Sequence, residues 1–285
     1  MLADKQVAFI GGGVMGEAMI KGLLRQELVT PAQVTVSDPL PERCHALAER
    51  YGINITSVNL DAASGSDVVV LSIKPQIMLM VLPELAGEVK PEGVVISIAA
   101  GIPLQAIIDA LRHTSVVRAM PNTPGQIAEG ITVWKATDGV SGEQLQQAQA
   151  VLGALGETVQ VDDERYLDMA TALSGTGPAY VLLVMEAMID AGVHLGFSRR
   201  IAEKLVMQTM RGTVEYARQS PRHPATLRNE VTSPGGTSAE AIYQLEKGGL
   251  RTVISRAIWA AYQRSVALGG GSDQARLAGR SPQDG

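Results

Sequence analysis

Six residues, Gly11-Gly12-Gly13-Val14-Met15-Gly16, constrain this chain more than any others. They follow directly on the apolar run Val7-Ala8-Phe9-Ile10 and open a helical pattern of apolar residues through Ala18, Met19, Gly22 and Leu23. Strand, glycine turn and helix in that order make a GxGxxG loop in the setting where it has a physical meaning. Gly11 permits a tight turn, Gly13 lets main chain approach a pyrophosphate, and Gly16 lets helix and strand pack closely. The helix N-terminus, with Val14 and Met15 in its first turn, offers unpaired N–H groups to an anion.

The same alternation continues along the first half. β-Branched runs at 7–10, 34–37, 68–73, 94–98, 116–120 and 131–135 are separated by helical patterns, as parallel strands joined by crossover helices are. Val68-Val69-Val70-Leu71 and Val94-Val95-Ile96 are apolar on both faces, so helices must cover both sides of the sheet. From about Tyr166 the β-branched runs stop and helical patterns take over at 178–195, 199–218, 237–247 and 250–268. The expected fold is therefore α/β: an N-terminal Rossmann-type, doubly wound parallel sheet followed by an all-helical C-terminal dimerisation domain. Its expected divisions are 1–164, 165–270 and a tail at 271–285 that lacks periodicity and should fray. Pro178 suits a first helical turn, Ser198 and Thr237 are candidate N-caps, and Gly248-Gly249 separates two helices.

Dimerisation is expected because Ala179-Tyr180-Val181-Leu182-Leu183-Val184-Met185 presents no polar face over two turns. A small helical domain cannot cover such a helix easily, so a second subunit is the expected cover; a core helix of its own domain is the alternative. The uncharged stretch 169–185 approaches membrane-spanning length, but Ser174-Gly175-Thr176-Gly177-Pro178 is expected to break a spanning helix in its middle.

Bulk properties narrow the partners. A net charge of -5 gives no attraction toward phosphate backbones or anionic membranes, so neither nucleic acid nor membrane is an expected partner. The single cysteine, Cys44, excludes an internal disulfide, and the absence of any zinc-type Cys/His spacing points to no metal. With no signal-peptide pattern at the start, a reducing cytoplasmic location is the expectation.

The second strand ends at Ser37-Asp38-Pro39, where a Rossmann fold meets the adenosine ribose. Asp38 suits a 2′-hydroxyl and would repel a 2′-phosphate, which favours NADH. Ser37 and Arg43, the latter able to swing in from the next helix, suit NADPH. The sequence leaves the choice between NADPH and NADH open.

Four further segments join the glycine loop: Ser72-Ile73-Lys74-Pro75-Gln76, Arg118-Ala119-Met120-Pro121-Asn122-Thr123-Pro124, Ser174-Gly175-Thr176-Gly177-Pro178-Ala179-Tyr180 and Glu230-Val231-Thr232-Ser233-Pro234-Gly235-Gly236-Thr237-Ser238. In this order and spacing the chain resembles the pyrroline-5-carboxylate reductases from Gly11 to about Lys247. The resemblance implies hydride transfer from NAD(P)H to the C=N bond of 1-pyrroline-5-carboxylate, giving L-proline, in the last step of proline biosynthesis. It also implies that main chain at Ile73, Lys74 and Pro75, and at Ala99 and Ala100, lies against the cofactor, that Asn59 contacts it, and that the assembly is a homodimer or a larger homo-oligomer built on dimers. Open parallel sheets bind ligands at the carboxyl ends of their strands, and these segments follow strand ends.

For the substrate, the segment Ser233-Pro234-Gly235-Gly236-Thr237-Ser238 puts two glycines immediately before a helix, so that successive N–H groups can converge as a nest for a ring carboxylate. Ser238, or Thr237 beside it, is expected to hold the ring nitrogen, and family members carry a glutamate near the ligand where this chain has Glu164. Glu230 stands where some relatives have asparagine; beside a negatively charged substrate it must point away or pair with a cation, so it is left out of the site. A protonated cyclic imine is already electrophilic, so no obligatory general acid is expected, and His45, His113, His194 and His223 lie away from the strand ends. Two rivals remain. A β-hydroxyacid dehydrogenase would need a catalytic lysine, for which Lys204 is the only candidate. A dinucleotide sensor would need no second ligand cradle.

Overall fold

The computed structural model describes residues 2–270; the expected fraying of 271–285 lies outside the described residues. Eight strands form one sheet in the order β3-β2-β1-β4-β5-β6-β7-β8, comprising β1 (Val7–Ile10), β2 (Val34–Ser37), β3 (Asn54–Thr56), β4 (Val68–Leu71), β5 (Val94–Ser97), β6 (Val116–Met120), β7 (Gly130–Ala136) and β8 (Gly156–Gln160). The first six are mutually parallel, whereas β7 runs antiparallel to β6 and carries β8 parallel to itself. After β3 the chain crosses to the far side of β1, so the strand order reverses between β1 and β4. A crevice opens at the carboxyl ends of an open sheet at such a reversal.

Alternation along the strands builds two cores. Val7, Phe9, Val68, Val70 and Ile96 face α1 (Val14–Arg25), α2 (Pro41–Tyr51) and α6 (Gly142–Gly153), whose Met19, Leu23, Leu47, Ala148 and Val151 complete one core. Ala8, Ile10, Val69, Leu71 and Val95 face α3 (Asn59–Ala63), α4 (Pro75–Val81) and α5 (Leu104–Leu111), whose Ala62, Met78 and Ile107 complete the other. Burial on both faces is what the unbroken Val/Ile runs require.

The expected strands at 68–73, 94–98 and 131–135 are adjusted by one or two residues at their ends, and two strands were not expected from sequence. β3 is three residues long and half exposed, and β8 (Gly-Glu-Thr-Val-Gln) is mostly polar. Both lie at sheet edges, where strands need neither length nor apolarity on both faces.

The helices of the second half are α7 (Arg165–Ala170), α8 (Gly177–His194), α9 (Arg199–Arg218), α10 (Pro224–Glu230), α11 (Thr237–Lys247) and α12 (Leu250–Leu268). The expected helix break at 174–178 is corrected. Thr171–Gly175 forms a π turn between α7 and α8, and the helical run continues from Arg165 to His194, long and apolar enough to cross a membrane by length and composition. Thr237 is likewise not the cap of α11. Gly236 occupies the cap with extended backbone, and Thr237 is the first helical residue. α10 escaped the periodicity because it is only seven residues; the side chain of His223 caps it, Nδ1 accepting from the N–H of Ala225.

The chain divides into two compact units. One takes residues up to Thr176 together with the chain from Ala261 onward; the other is Gly177–Ala260. The end of α12 belongs with the sheet because Ser265 Oγ donates to Asp168 Oδ1 at 2.9 Å and Leu268 lies against the Gly101 turn.

Candidate active site

In the sheet unit the GxGxxG glycines divide their labour by measurable space. Gly11 has φ +99°, and a Cβ there would meet Ile73 Cγ2 at 2.8 Å and the Ser72 carbonyl oxygen at 2.9 Å. At Gly16 it would meet the Gly11 oxygen at 2.7 Å and Ser72 Oγ at 2.9 Å. These two are glycine because protein fills the space. Ser72 ties the loop to β4, its Oγ donating to the Gly11 oxygen at 2.7 Å. Gly13 differs: it is exposed, its Cβ position meets nothing closer than 3.9 Å, and it caps α1 with no side-chain hydrogen bond. Open main chain at an uncapped helix N-terminus is a fit for a pyrophosphate. Val14 is exposed beside it and Met15 half-buried.

The ribose end is more crowded than the sequence suggests. Asp38 is no bare turn residue: its Oδ2 accepts from the Gly12 N–H at 2.9 Å and its Oδ1 from the Leu40 N–H at 3.0 Å. Arg43 is already engaged, Nε donating to the Gly12 oxygen at 2.5 Å and Nη2 to Glu17 Oε2 at 2.6 Å. Partial burial raises the Glu17 pKa, but hydrogen bonds from Arg43, Tyr51 and Arg50 outweigh it and hold the carboxyl below its ordinary range. Ser37 is fully buried and donates to Asn59 Oδ1 at 2.8 Å, while Asn59 Nδ2 donates to Glu84 at 2.8 Å. Asn59 therefore starts α3 beside the end of β2.

Lys74 and Pro75 begin α4 immediately after the β4 end, Lys74 exposed at the cap and Pro75 at the first helical position. Ala99 is buried and Ala100 half-buried after β5, in the turn that Gly101 completes at φ +76°. All of these follow carboxyl ends of parallel strands, on the same edge as the glycine loop.

Glu164 has partners that sequence reasoning missed. Its Oε1 accepts from Arg118 Nη1 at 2.6 Å and from the N–H of Leu104, the first residue of α5, at 2.8 Å. Arg118 is buried within β6, and its Nη2 lies 3.6 Å from Asp168 Oδ1. The signal was an arginine inside Val116-Val117-Arg118-Ala119, since a buried guanidinium must find carboxylates. Asn122 joins two of the sequence motifs: its Nδ2 donates to the Ser174 oxygen at 3.2 Å, and its Oδ1 accepts from Ile131 N–H at 3.0 Å. A Cβ at Gly175 would meet Met120 Cε at 2.6 Å, a contact that the flexible end of the methionine can relieve by shifting.

In the helical unit, Ser233-Pro234-Gly235-Gly236 turns into α11 as a nest would. Gly235 has φ +70°, the Gly236 N–H closes on the Ser233 oxygen at 3.0 Å, and no side chain caps the helix. Ser233, Pro234, Gly235 and Thr237 are exposed and Ser238 is half-buried in the first turn. Glu230 is paired with a cation: Arg222 donates to its Oε1, and Tyr216 OH donates to its Oε2 at 3.2 Å. Lys204 is an exposed residue of α9. Cys44 is a buried residue of α2, its Sγ 3.4 Å from the Asp38 oxygen, and burial pushes the thiol pKa up. A raised thiol pKa is the opposite of what a nucleophile needs.

Residues 164–268 match the family model described as pyrroline-5-carboxylate reductase dimerisation, and residues 6–101 match that described as NADP oxidoreductase, coenzyme F420-dependent. A pyrroline-5-carboxylate reductase of Pseudomonas aeruginosa is 42% identical over 268 residues, 94% of this chain and 98% of the relative. The chain belongs to the pyrroline-5-carboxylate reductase family. Solved structures agree with this placement. The pyrroline-5-carboxylate reductase of Coxiella burnetii shares 36% identity with a TM-score of 0.85, covering 93% of this chain and 98% of its own. The pyrroline carboxylate reductase of Plasmodium falciparum, with NADP bound, shares 29% identity with a TM-score of 0.86, covering 94% and 100%. The Rossmann-type sheet followed by helices expected from sequence is therefore the fold of the family. α8 lies within its dimerisation domain, which indicates a homo-oligomer.

Proposed function

We propose that this chain is an NAD(P)H-dependent pyrroline-5-carboxylate reductase that reduces the C=N bond of 1-pyrroline-5-carboxylate to give L-proline. What carries the reading is kinship along 94% of the chain at 42% identity, together with a glycine loop open at Gly13. Gly11, Gly13, Val14, Met15 and Gly16 hold the pyrophosphate, Ser37, Asp38 and Asn59 the adenosine end, and Ile73, Lys74, Pro75, Ala99 and Ala100 line the nicotinamide end. When bound, the reduced nicotinamide supplies the hydride that the imine carbon needs.

The chain's own residues do the rest by orientation. N–H groups of the Ser233–Ser238 turn take the substrate carboxylate, favoured by the α11 dipole. The hydroxyl of Ser238, with Thr237 beside it, accepts from the protonated ring nitrogen. Because that nitrogen is protonated beforehand, no side chain must deliver a proton during reduction. Glu230 does not oppose the substrate carboxylate, since its charge is taken by Arg222. Glu164, held by Arg118 and by the N–H of Leu104, stands near the substrate in this reading. The reading requires the two cradles to converge, within one chain or across the assembly, and we propose a homodimer or a larger homo-oligomer built on dimers.

The functional division proposed is 1–164 for cofactor and 165–270 for substrate and dimerisation. The enzyme is proposed to be cytoplasmic, with neither nucleic acid nor membrane as a partner. Incubation with pyrroline-5-carboxylate and NADPH or NADH should consume cofactor and yield proline; oxidation with 2-hydroxy acids instead, or cofactor binding without turnover, would reject the assignment. Ser238→Ala should raise the substrate KM by about 10- to 100-fold, the worth of a hydrogen bond to a charged group, with cofactor affinity unchanged. An unaltered KM removes Ser238 from the site.

A further inference from the structure

We propose that Glu17 sets this chain's cofactor preference toward NADH by holding Arg43 away from the ribose end of the cradle. The inference rests on the reading that the glycine loop holds a nicotinamide dinucleotide, and concerns which one. In such folds a 2′-phosphate needs a cation at the end of the second strand, and a carboxylate there suits a 2′-hydroxyl instead. Arg43, five residues beyond Asp38, is the cation placed to serve.

Arg43 is not at liberty to do so. Its Nε sits on the Gly12 oxygen at 2.5 Å and its Nη2 on Glu17 Oε2 at 2.6 Å, with the two side chains only 28% and 18% exposed. Glu17 is itself fixed, since its Oε1 accepts from Arg50 at 2.7 Å and from Tyr51 OH at 2.9 Å. One α1 carboxylate thus gathers three donors of α2. Around the ribose end, Asp38 and Glu17 balance Arg43 and Arg50, so an arriving phosphate dianion meets no net positive charge. Removing the Glu17 charge leaves Arg43 hinged at Gly12 with its terminal nitrogens released, and leaves the local charge positive.

Glu17 is a sharper probe of preference than Asp38. Asp38 also holds the Gly12 and Leu40 N–H groups, so its removal loosens the loop that grips the pyrophosphate of either cofactor. The Glu17 carboxylate bonds only to side chains of α2 among the described residues, and it acts on the loop through Arg43.

The test is a titration of NADH and NADPH onto the full-length protein, read by calorimetry, for the unaltered chain, Glu17→Gln, Arg43→Gln and the double variant. The unaltered chain should bind NADH more tightly. Glu17→Gln should move the ratio of dissociation constants at least about tenfold toward NADPH, the scale of one charge-assisted contact. The double variant should lose that gain, and Arg43→Gln alone should leave the ratio within about threefold. An unmoved ratio in Glu17→Gln overturns the proposal, as does an NADPH preference that Arg43→Gln abolishes; the latter decides the matter even if Glu17→Gln does not fold. Absence of binding for both cofactors would refute the cradle itself, whereas binding without the shift refutes only the role of Glu17.

Discussion

The sheet unit and the helical unit are built on opposite terms. In the sheet unit the central strands β1, β4 and β5 are fully buried, both faces carry apolar cores, and its buried Arg118 and Asp168 have charged partners within the unit. In the helical unit α8 has eighteen residues and none is buried. Leu182 is 63% and Leu183 66% exposed. The central sheet packs its apolar strands within one chain, whereas α8 leaves its apolar residues for another copy to cover. An exposed apolar surface of this length, within the part of the chain that matches a dimerisation domain, marks an interface.

The difference is broken most directly on α8. Leu182→Asp with Leu183→Asp puts two carboxylates on the surface that the dimerisation domain uses. Sedimentation should show the oligomer replaced by monomer, with reductase activity lost, while cofactor affinity of the sheet unit is retained. A variant that stays oligomeric would place the interface elsewhere and return α8 to the alternative of a helix covered by its own chain.

A second substitution strikes the self-sufficiency of the sheet unit. Arg118→Ala removes the guanidinium shared by Glu164 and Asp168, and breaking a buried pair on one side costs roughly 3–5 kcal/mol. Thermal unfolding should fall by about 10 °C, in the oligomer and in the monomeric α8 variant alike. If the monomer alone is affected, the network depends on assembly and the two units are less independent than they look.

How much of this was legible follows the same division. Central strands and long helices were, because burial on two faces writes continuous Val/Ile runs and α9, α11 and α12 write their own periodicity; their bounds match the sequence expectation. Edge strands β3 and β8 were not, since an edge needs no apolar pattern. The Ser174–Pro178 segment read as a breaker because glycine and proline are helix punctuation, yet Pro178 falls in the first turn of α8, where it lacks no needed N–H, and the π turn absorbs the rest. Motif glycines were legible as a loop, but not which of them faced protein and which faced open space. Arg118 and Glu17 were illegible as partners because an ion pair joins residues distant in sequence, 46 apart for Arg118 and Glu164.

The glycine loop offers a smaller, paired test. Gly11→Ala forces a side chain into a left-handed backbone against Ile73 and Ser72, at about 1–3 kcal/mol, and should lower the melting temperature. Gly13→Ala, with ordinary φ of −63° and open space, should leave the melting temperature unchanged yet weaken cofactor binding at least several-fold in calorimetry. Equal losses of stability at both would mean that the cradle is part of the packing and not a free surface for ligand.

The smallest effect concerns acid stability of the sheet unit alone. Asp67 Oδ2 accepts from the Gln6 N–H at 2.7 Å and its Oδ1 pairs with Lys90 at 2.9 Å, fastening the entries of β1 and β4. Partial burial raises its pKa, but the Gln6 N–H and Lys90 prevail and hold the carboxyl below the ordinary aspartate range. A lowered folded-state pKa contributes stability that is complete above the unfolded value and fades as pH falls through the folded one. Asp67→Asn should therefore cost about 0.5–1 kcal/mol at pH 7, and the two proteins should converge in urea unfolding once the pH falls through the lowered Asp67 pKa, below the ordinary aspartate range. Since every group involved belongs to the sheet unit, the same difference should appear in the monomeric α8 variant. A difference that vanishes on dissociation would show that the sheet unit borrows stability from the assembly, and would undo the contrast between the two regions.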